Sequence, residues 1–383
     1  MSFSGKATYT GGSSLPEIAE DVADLVTILG PQETPFLDAL GDPLYSATST
    51  RHEWLEDSLI SNTTTINEPS ISDGALNVTA VTVVNGAIFR IGDLVKGAGS
   101  TEVLLVTAVS GNVITVTRGY GGSTKAQLTD TEVLVILGNA ALEAQDAGTP
   151  RFTVRTRQSN YTQIFSTALQ ISGTEMAVRQ LAVDDELDYQ KTLRLRELLR
   201  DLENTVVNGV GPAATPEGSA TVRRTMRGLI ASLTTNVMTP GAGHIPGDSS
   251  LGEGHINGAL QTIWEVSGNK PDLILCGGSQ KRRINGFIQT NQRFSPAGEQ
   301  FKNLVSTYES DYGVCRVILS RYVPADAVIF VDSSKAAVVP LTGRSFGYLA
   351  LAATGDYVSG ELVGEYTFEL RHEKGHGILR GLA

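Results

Sequence analysis

Ser172-GTEMAVRQLAVDDELDYQKTLRLRELLRDLENTVV-Asn208 is the stretch from which the organisation of the chain can be read. Its opening, Ser172-Gly-Thr-Glu175, has capping-box spacing: the hydroxyl takes one orphan backbone N–H and the carboxylate reaches back to another. After Gly173 no Pro or Gly interrupts the run, and Leu, Arg, Glu, Gln and Ala dominate it, residues that lose little rotamer freedom in a helix. Asn208-Gly-Val-Gly-Pro212 supplies the stop. The spacing therefore predicts a spine helix from Ser172 and Glu175 to Asn208, a rod of about 50 Å. Leu195, Leu198, Leu199, Leu202 and Val206 form an apolar stripe in its C-terminal half. Asp184, Asp185, Glu186 and Asp188 interrupt the face that Ala177 and Leu181 begin, and Asp184 is placed to cap a second helix after a kink. Frequent charges exclude a membrane span here.

The 383 residues, 41% hydrophobic and 19% charged, allow two or three folded units with an ample core. A formal charge of −11 argues against general affinity for DNA or anionic lipid. Cys276 and Cys315 lie in apolar runs and read as buried thiols, with no metal or redox motif. No signal peptide or long apolar span is evident, so a soluble cytosolic product is expected.

Working outward, Ser14-Leu-Pro-Glu17 opens a short amphipathic helix with Ile18, Val22, Leu25, Val26 and Leu29 on one face, ended by Gly30-Pro31. Thr34-Pro-Phe36-Leu37 begins an apolar clip, and Glu53-Trp54-Leu55-Glu56 an extended polar segment; together they read as an arm that packs away from the body or folds back on it. From Asn62 to Asn85 an extended ribbon with little to bury is expected. Gly86 to Leu137 then turns into short strands around a Gly111-Asn112 hairpin, read as a small inserted β-barrel. Thr153 to Leu169 returns as an alternating strand with Arg151, Arg155 and Arg157 facing out. Beyond the spine, a helix over 255–267, strands over 273–276, 314–319, 327–331 and 336–341, and a helix with Ile284, Phe287 and Ile288 predict an α+β or α/β unit. The tail over 356–370 alternates, with Glu361, Glu365 and Glu369 between its apolar members.

Motifs with chemistry are few. His372-Glu-Lys-Gly-His376 matches the H-E-x-x-H zinc pattern, in which two His one helical turn apart bind metal and the Glu acts as base. The context opposes it: a period-2 strand runs in, and Gly375 and Gly377 break any helix. A strand end with solvated imidazoles is expected instead, and His52, His244 and His255 are read as lone residues. Gly119-Tyr-Gly-Gly-Ser-Thr-Lys125 lacks Walker spacing and reads as a tight loop. No catalytic residue, cofactor or metal ligand is assigned.

The order of parts resembles the major capsid protein of tailed bacteriophages, with the Hong Kong 97-type fold, in a subgroup whose E-loop carries a β-barrel insertion. The resemblance rests on Thr34-Pro-Phe36-Leu37, Val116-Thr-Arg-Gly119 within the insertion, the spine over 171–210, and the returning strand from Tyr357. It implies an α+β chain with an N-terminal arm over 1–50, an E-loop over 51–165 with its barrel at about 86–138, and a peripheral domain with the spine over 166–225. An axial domain over 226–355 and a returning peripheral strand over 356–383 complete it. It also implies a structural, non-enzymatic protein that assembles as pentamers and hexamers into an icosahedral head around double-stranded DNA. Its localisation would be the virion, assembled in the bacterial cytoplasm. Implied partners are scaffold, portal or decoration proteins; no membrane is involved. Implied assembly contacts are Leu25, Phe36, Leu37, Trp54, Lys96 and Arg118. The alternatives are an encapsulin-type shell in the same fold and, from His372, Glu373 and His376 alone, a zinc-dependent hydrolase. A tail or decoration protein would leave the spine unexplained.

Overall fold

The computed structural model describes residues 33–43, 45–69, 76–144, 146, 150–178, 185–212, 214–291, 307–352 and 354–383. The helix expected from Ser14, with Leu25, lies outside these residues, as does the centre of the expected spine. The described chain divides into two compact units. One holds the residues up to Trp54 together with Arg157–Ala383, and the other Leu55–Thr156.

Helix α1 (Pro35–Leu40) starts on a proline, whose missing N–H would have had no intrahelical partner. Strand β1 (Arg51–Glu56) then leads out of the first unit. The second unit contains β2 (Thr63–Thr65), β3 (Ala80–Thr82), β4 (Asp93–Gly97), β5 (Val103–Ser110), β6 (Val113–Thr117) and β7 (Val133–Asn139). These six strands are joined in the order β2-β7-β4-β5-β6-β3. A bridge between Ile66 and Val83 connects the two outer strands, with the Asn67 N–H donated to Thr82 O (2.9 Å) and the Val84 N–H to Thr65 O (3.0 Å). The sheet thus closes on itself and leaves no free edge there. Alternate residues fill it, among them Val81, Val95, Leu104, Ile114, Val116 and Leu134. The β5–β6 turn uses Gly111 at φ 58, a left-handed position that costs glycine nothing. Ile66, Val81 and Val83 correct the expectation that 62–85 has little to bury, because β2 and β3 are part of this sheet.

Strand β8 (Thr156–Tyr161) pairs with β1, and β9 (Gln163–Ser172) follows. The continuous spine is corrected. Ser172 caps only a short α2 (Gly173–Ala177), accepting from the Glu175 N–H at 3.1 Å, and Val178 is extended. A new helix, α3 (Glu186–Asn208), starts at Asp185, whose carboxylate accepts from the N–H groups of Leu187 (2.8 Å) and Asp188 (3.3 Å). An Asp side chain offers the backbone this local alternative to continued helix, and it does so one residue later than the sequence suggested. At 23 residues α3 is about 35 Å long. Its stripe is as patterned: Leu198, Leu202 and Val206 are buried, and Leu195 and Leu199 half-buried.

After α4 (Leu229–Ser232) come β10 (Val237–Met238), α5 (Glu253–Ser267), β11 (Leu273–Cys276), α6 (Gly278–Asn291), β12 (Thr307–Ser310), β13 (Gly313–Leu319) and β14 (Val328–Val331). They are followed by β15 (Ala336–Pro340), β16 (Gly347–Leu351), β17 (Tyr357–Leu370) and β18 (Gly377–Leu379). The mixed sheet β10-β18-β14-β11-β13-β12 is covered on both faces. Leu273 and Leu275 of β11 join a core with α1 and α3, whereas Ile274 and Cys276 join the one formed with α5 and α6. In the other sheet, β17 pairs with β9 on one side and with β15 and β16 on the other.

Candidate functional site

Two buried carboxylates of the first unit stand on β17. Glu369 is buried and takes hydrogen bonds from Tyr45 (2.8 Å), His52 (2.7 Å) and Arg371. Burial pushes this carboxyl up, but the three donors outweigh it and hold the group down at about 2. The contact fixes both the stretch after α1 and the start of β1 to the central strand. Four residues earlier on the same face, Glu365 takes Arg224 (2.5 Å), Arg344 (2.9 Å) and the Thr162 hydroxyl (2.6 Å). These acids, expected as the polar members of an alternating strand, are interior because each has a cation beside it.

The second unit contains a comparable pair. Arg118 meets Glu102 through Nε (2.9 Å) and Nη2 (2.8 Å), and the same carboxylate accepts from the N–H groups of Gly119 and Ala126, both at 2.8 Å. Burial raises the Glu102 carboxyl, but the Arg118 bond and the two amides bring it below its ordinary value. Arg118 also donates to Val78 O and Ala126 O. This corrects Arg118 as an assembly contact: both ends of its side chain are used inside its own unit, closing the 118–126 loop.

Phe36 is corrected in the same way. It is fully buried in its own core, and Leu37 packs half-buried against that core. Their N–H groups each point to one oxygen of Glu203, a fully buried carboxylate on α3, at 3.4 Å. The sequence reading missed Glu203; the signal that could have found it is its place four residues after Leu199, at the edge of the apolar stripe. Trp54 is half-buried beside His52, with ring centroids 5.9 Å apart. Lys96 is half-buried on β4, opposite Val103 and Val135.

The H-E-x-x-H segment is structural in geometry. His372 has φ 51 and precedes a 3-10 turn, so its two His are not one α-helical turn apart. Glu373 accepts from the N–H groups of Thr234 and Thr235, both at 2.7 Å, and from the Thr235 hydroxyl. His376 is buried, not solvated. Its Nδ1 accepts the Asp332 N–H (3.1 Å), which leaves Nε2 to donate to Arg371 O (3.1 Å). Burial lowers its pKa and keeps the ring neutral. The remaining imidazoles are not lone: His52 holds Glu369, His244 meets Glu265 (2.9 Å), and His255 bonds Asp248 O (2.7 Å).

What the interior does not use is on the surface. Leu59, Leu142, Phe152 and Val154 of the second unit are exposed, Phe152 at 84%. In the first unit, Leu349 and Leu351 of β16 project on the same sheet face as Glu361 and Ser359, away from the buried Leu362, and Leu349 is 55% exposed. Of the alternating strand expected from Thr153 to Leu169, the first three residues form no strand and the pairing begins at Thr156, since pairing cannot be read from alternation. Among the described residues no helix is long and apolar enough to cross a membrane.

The family model for the SU10 major capsid protein matches residues 4–383 of this chain. No curated protein matches. Among solved structures, the chain is similar to the cyanophage A-1(L) capsid asymmetric unit at 13% identity, covering 95% of this chain and 97% of that one, with a TM-score of 0.54. It is similar to the capsid of a native GTA particle at 8% identity, covering 100% of both chains, with a TM-score of 0.55. The corresponding figures for Microbacterium phage Oxtober96 are 12%, 95% and 96%, and 0.51.

Proposed function

This chain belongs to the SU10 major capsid protein family, has the Hong Kong 97-type fold and is a structural subunit of a tailed-phage capsid shell; from that premise we propose how its copies fit together. They close into rings of five and six that build an icosahedral head around double-stranded DNA, assembled in the bacterial cytoplasm with scaffold, portal or decoration proteins. The chain has no enzymatic role. The Leu55–Thr156 unit serves as the E-loop and lies over a neighbouring copy, and α3 serves as the spine of the peripheral domain. Trp54, Leu37 and Lys96 remain contact residues of this arrangement.

The observation that carries the reading is the set of large apolar side chains left in water, above all Phe152 and Val154 on one unit and Leu349 and Leu351 on the other. Each unit has a filled core of its own, so among the described residues these groups have no core to fill, and a shell of identical copies gives them partners. The net negative subunit suits a container, since packaged DNA must not adhere to the wall. The test compares wild type with Phe152→Asp/Val154→Asp by sedimentation and circular dichroism. Shell-sized species from wild type, with folded but unassembled variant, are expected. Normal shells from the variant would remove these residues from the interface.

A further inference from the structure

Four glutamates are buried among the described residues, and three have an arginine: Glu102, Glu365 and Glu369. Glu203 does not. Among the described residues its partners are the N–H groups of Phe36 and Leu37, at 3.4 Å each, and the hydroxyl of Ser320. Thr34, the N-cap residue of α1, makes no side-chain cap bond, so Glu203 stands where that cap would be. It reaches there from α3, far along the sequence, and so ties the first turn of α1 to the core into which Phe36 inserts.

We propose that Glu203 is a proton-controlled latch on α1, so that docking of this helix is firm in acid and loosens as the solution becomes less acidic. The charges around the carboxylate do not neutralise it. Asp38 on α1 is of like sign, Arg200 on α3 is engaged with Asp201 (3.4 Å), and Arg321 and Tyr322 follow β13. Lys335, on the turn packed against α1, is held by Asp332 (3.2 Å).

A carboxylate with no cation in an apolar core favours its neutral form. Burial, aided by Asp38, pushes Glu203 up to about 7, against the pull of the two amides and Ser320. When α1 is undocked, Glu203 reaches water and returns towards its ordinary value of 4.5. Docking therefore binds a proton. Its stability is fully present below the ordinary value, is lost as pH rises towards about 7, and changes no further above that. The protonated acid still fits: its carbonyl oxygen accepts an amide, and its hydroxyl can donate to Ser320. This latch depends on contacts of α1, α3 and Ser320 within the first unit and stands or falls independently of the ring-forming reading.

The experiment is amide hydrogen exchange of Phe36–Gly41 in the full-length protein from pH 5 to 8, corrected for intrinsic exchange. The opening constant should rise by up to about tenfold per pH unit below about 7 and then level. Glu203→Gln should be flat over the same range. Asp38→Asn, at an exposed position, should move the levelling point to lower pH. A flat wild-type profile, an unchanged slope in Glu203→Gln, or an unmoved levelling point in Asp38→Asn would overturn the latch.

Discussion

Glu369, Glu365 and Glu102 show why the polar interior of this protein was harder to read than its apolar one. Leu198, Leu202 and Val206 announce their burial by spacing, whereas a Glu in a strand looks like a solvent-facing residue until the arginine that reaches it is known. The partners lie far off in sequence, as with Glu365 and Arg224. For Glu102 and Arg118 the consequence is large: Glu102→Ala takes the carboxylate away from a buried guanidinium, and a loss of roughly 3–5 kcal/mol in denaturant unfolding is expected. Glu369 sets an acid limit. Its carboxyl is held at about 2, so the stability it contributes is present above the ordinary carboxylate range and is lost as pH falls towards about 2. Acid unfolding monitored by tryptophan fluorescence should become less steep in Glu369→Gln, since that variant no longer takes up the proton. Gly364 is a residue of a different kind. A Cβ there would stand 2.4 Å from Cδ1 of Phe346, the ring that lies across the strand. Gly364→Ala should cost about 1–3 kcal/mol by overpacking, and combining it with Phe346→Ala should recover part of that loss.

At the level of elements, strands and helices of the first unit were legible because their patterns are unmixed: β11 occurs over Leu273–Cys276 as read, and α5 over Glu253–Ser267 begins two residues ahead of the expected start. The short pieces β10, β12, β16 and β18 were missed, since two to five residues without alternation carry no period. The spine was read as one rod because propensity runs unbroken through it. Instead α2 ends at Ala177, where Val178 is extended, and Asp185 opens a separate helix by capping the amides of Leu187 and Asp188. Asp185→Ala should therefore destabilise the first turn of α3 by about 0.5–2 kcal/mol, visible as faster hydrogen exchange over 187–190 with the C-terminal turns unaffected. In the second unit, β5 and β6 were marked by the Gly111-Asn112 turn. Nothing in the Thr-rich sequence before Gly86 marked β2 and β3, whose few apolar residues, Ile66, Val81 and Val83, are enough to complete a small sheet.

For the molecule as a whole, the family membership and the fold agree with a protein whose chemistry is contact rather than catalysis. The segment that imitated a metalloprotease motif, His372 to His376, is tied to Thr234, Thr235 and Asp332, so its side chains hold the end of β17 against neighbouring loops. The residues chosen from sequence as contacts were the conspicuous aromatic, aliphatic and basic ones, and the structure uses Phe36 and Arg118 internally. The large apolar groups left exposed, Phe152 and Val154 among them, are ones that local pattern could not separate from core. The most direct measurement is cryo-electron microscopy of particles assembled from the purified protein, alone and with its co-expressed assembly partners. Shells with rings of five and six subunits, in which Phe152 and Val154 of one subunit are covered by a neighbouring copy, are expected. A persistent monomer under all these conditions, or a shell in which both side chains face solvent, would contradict the account.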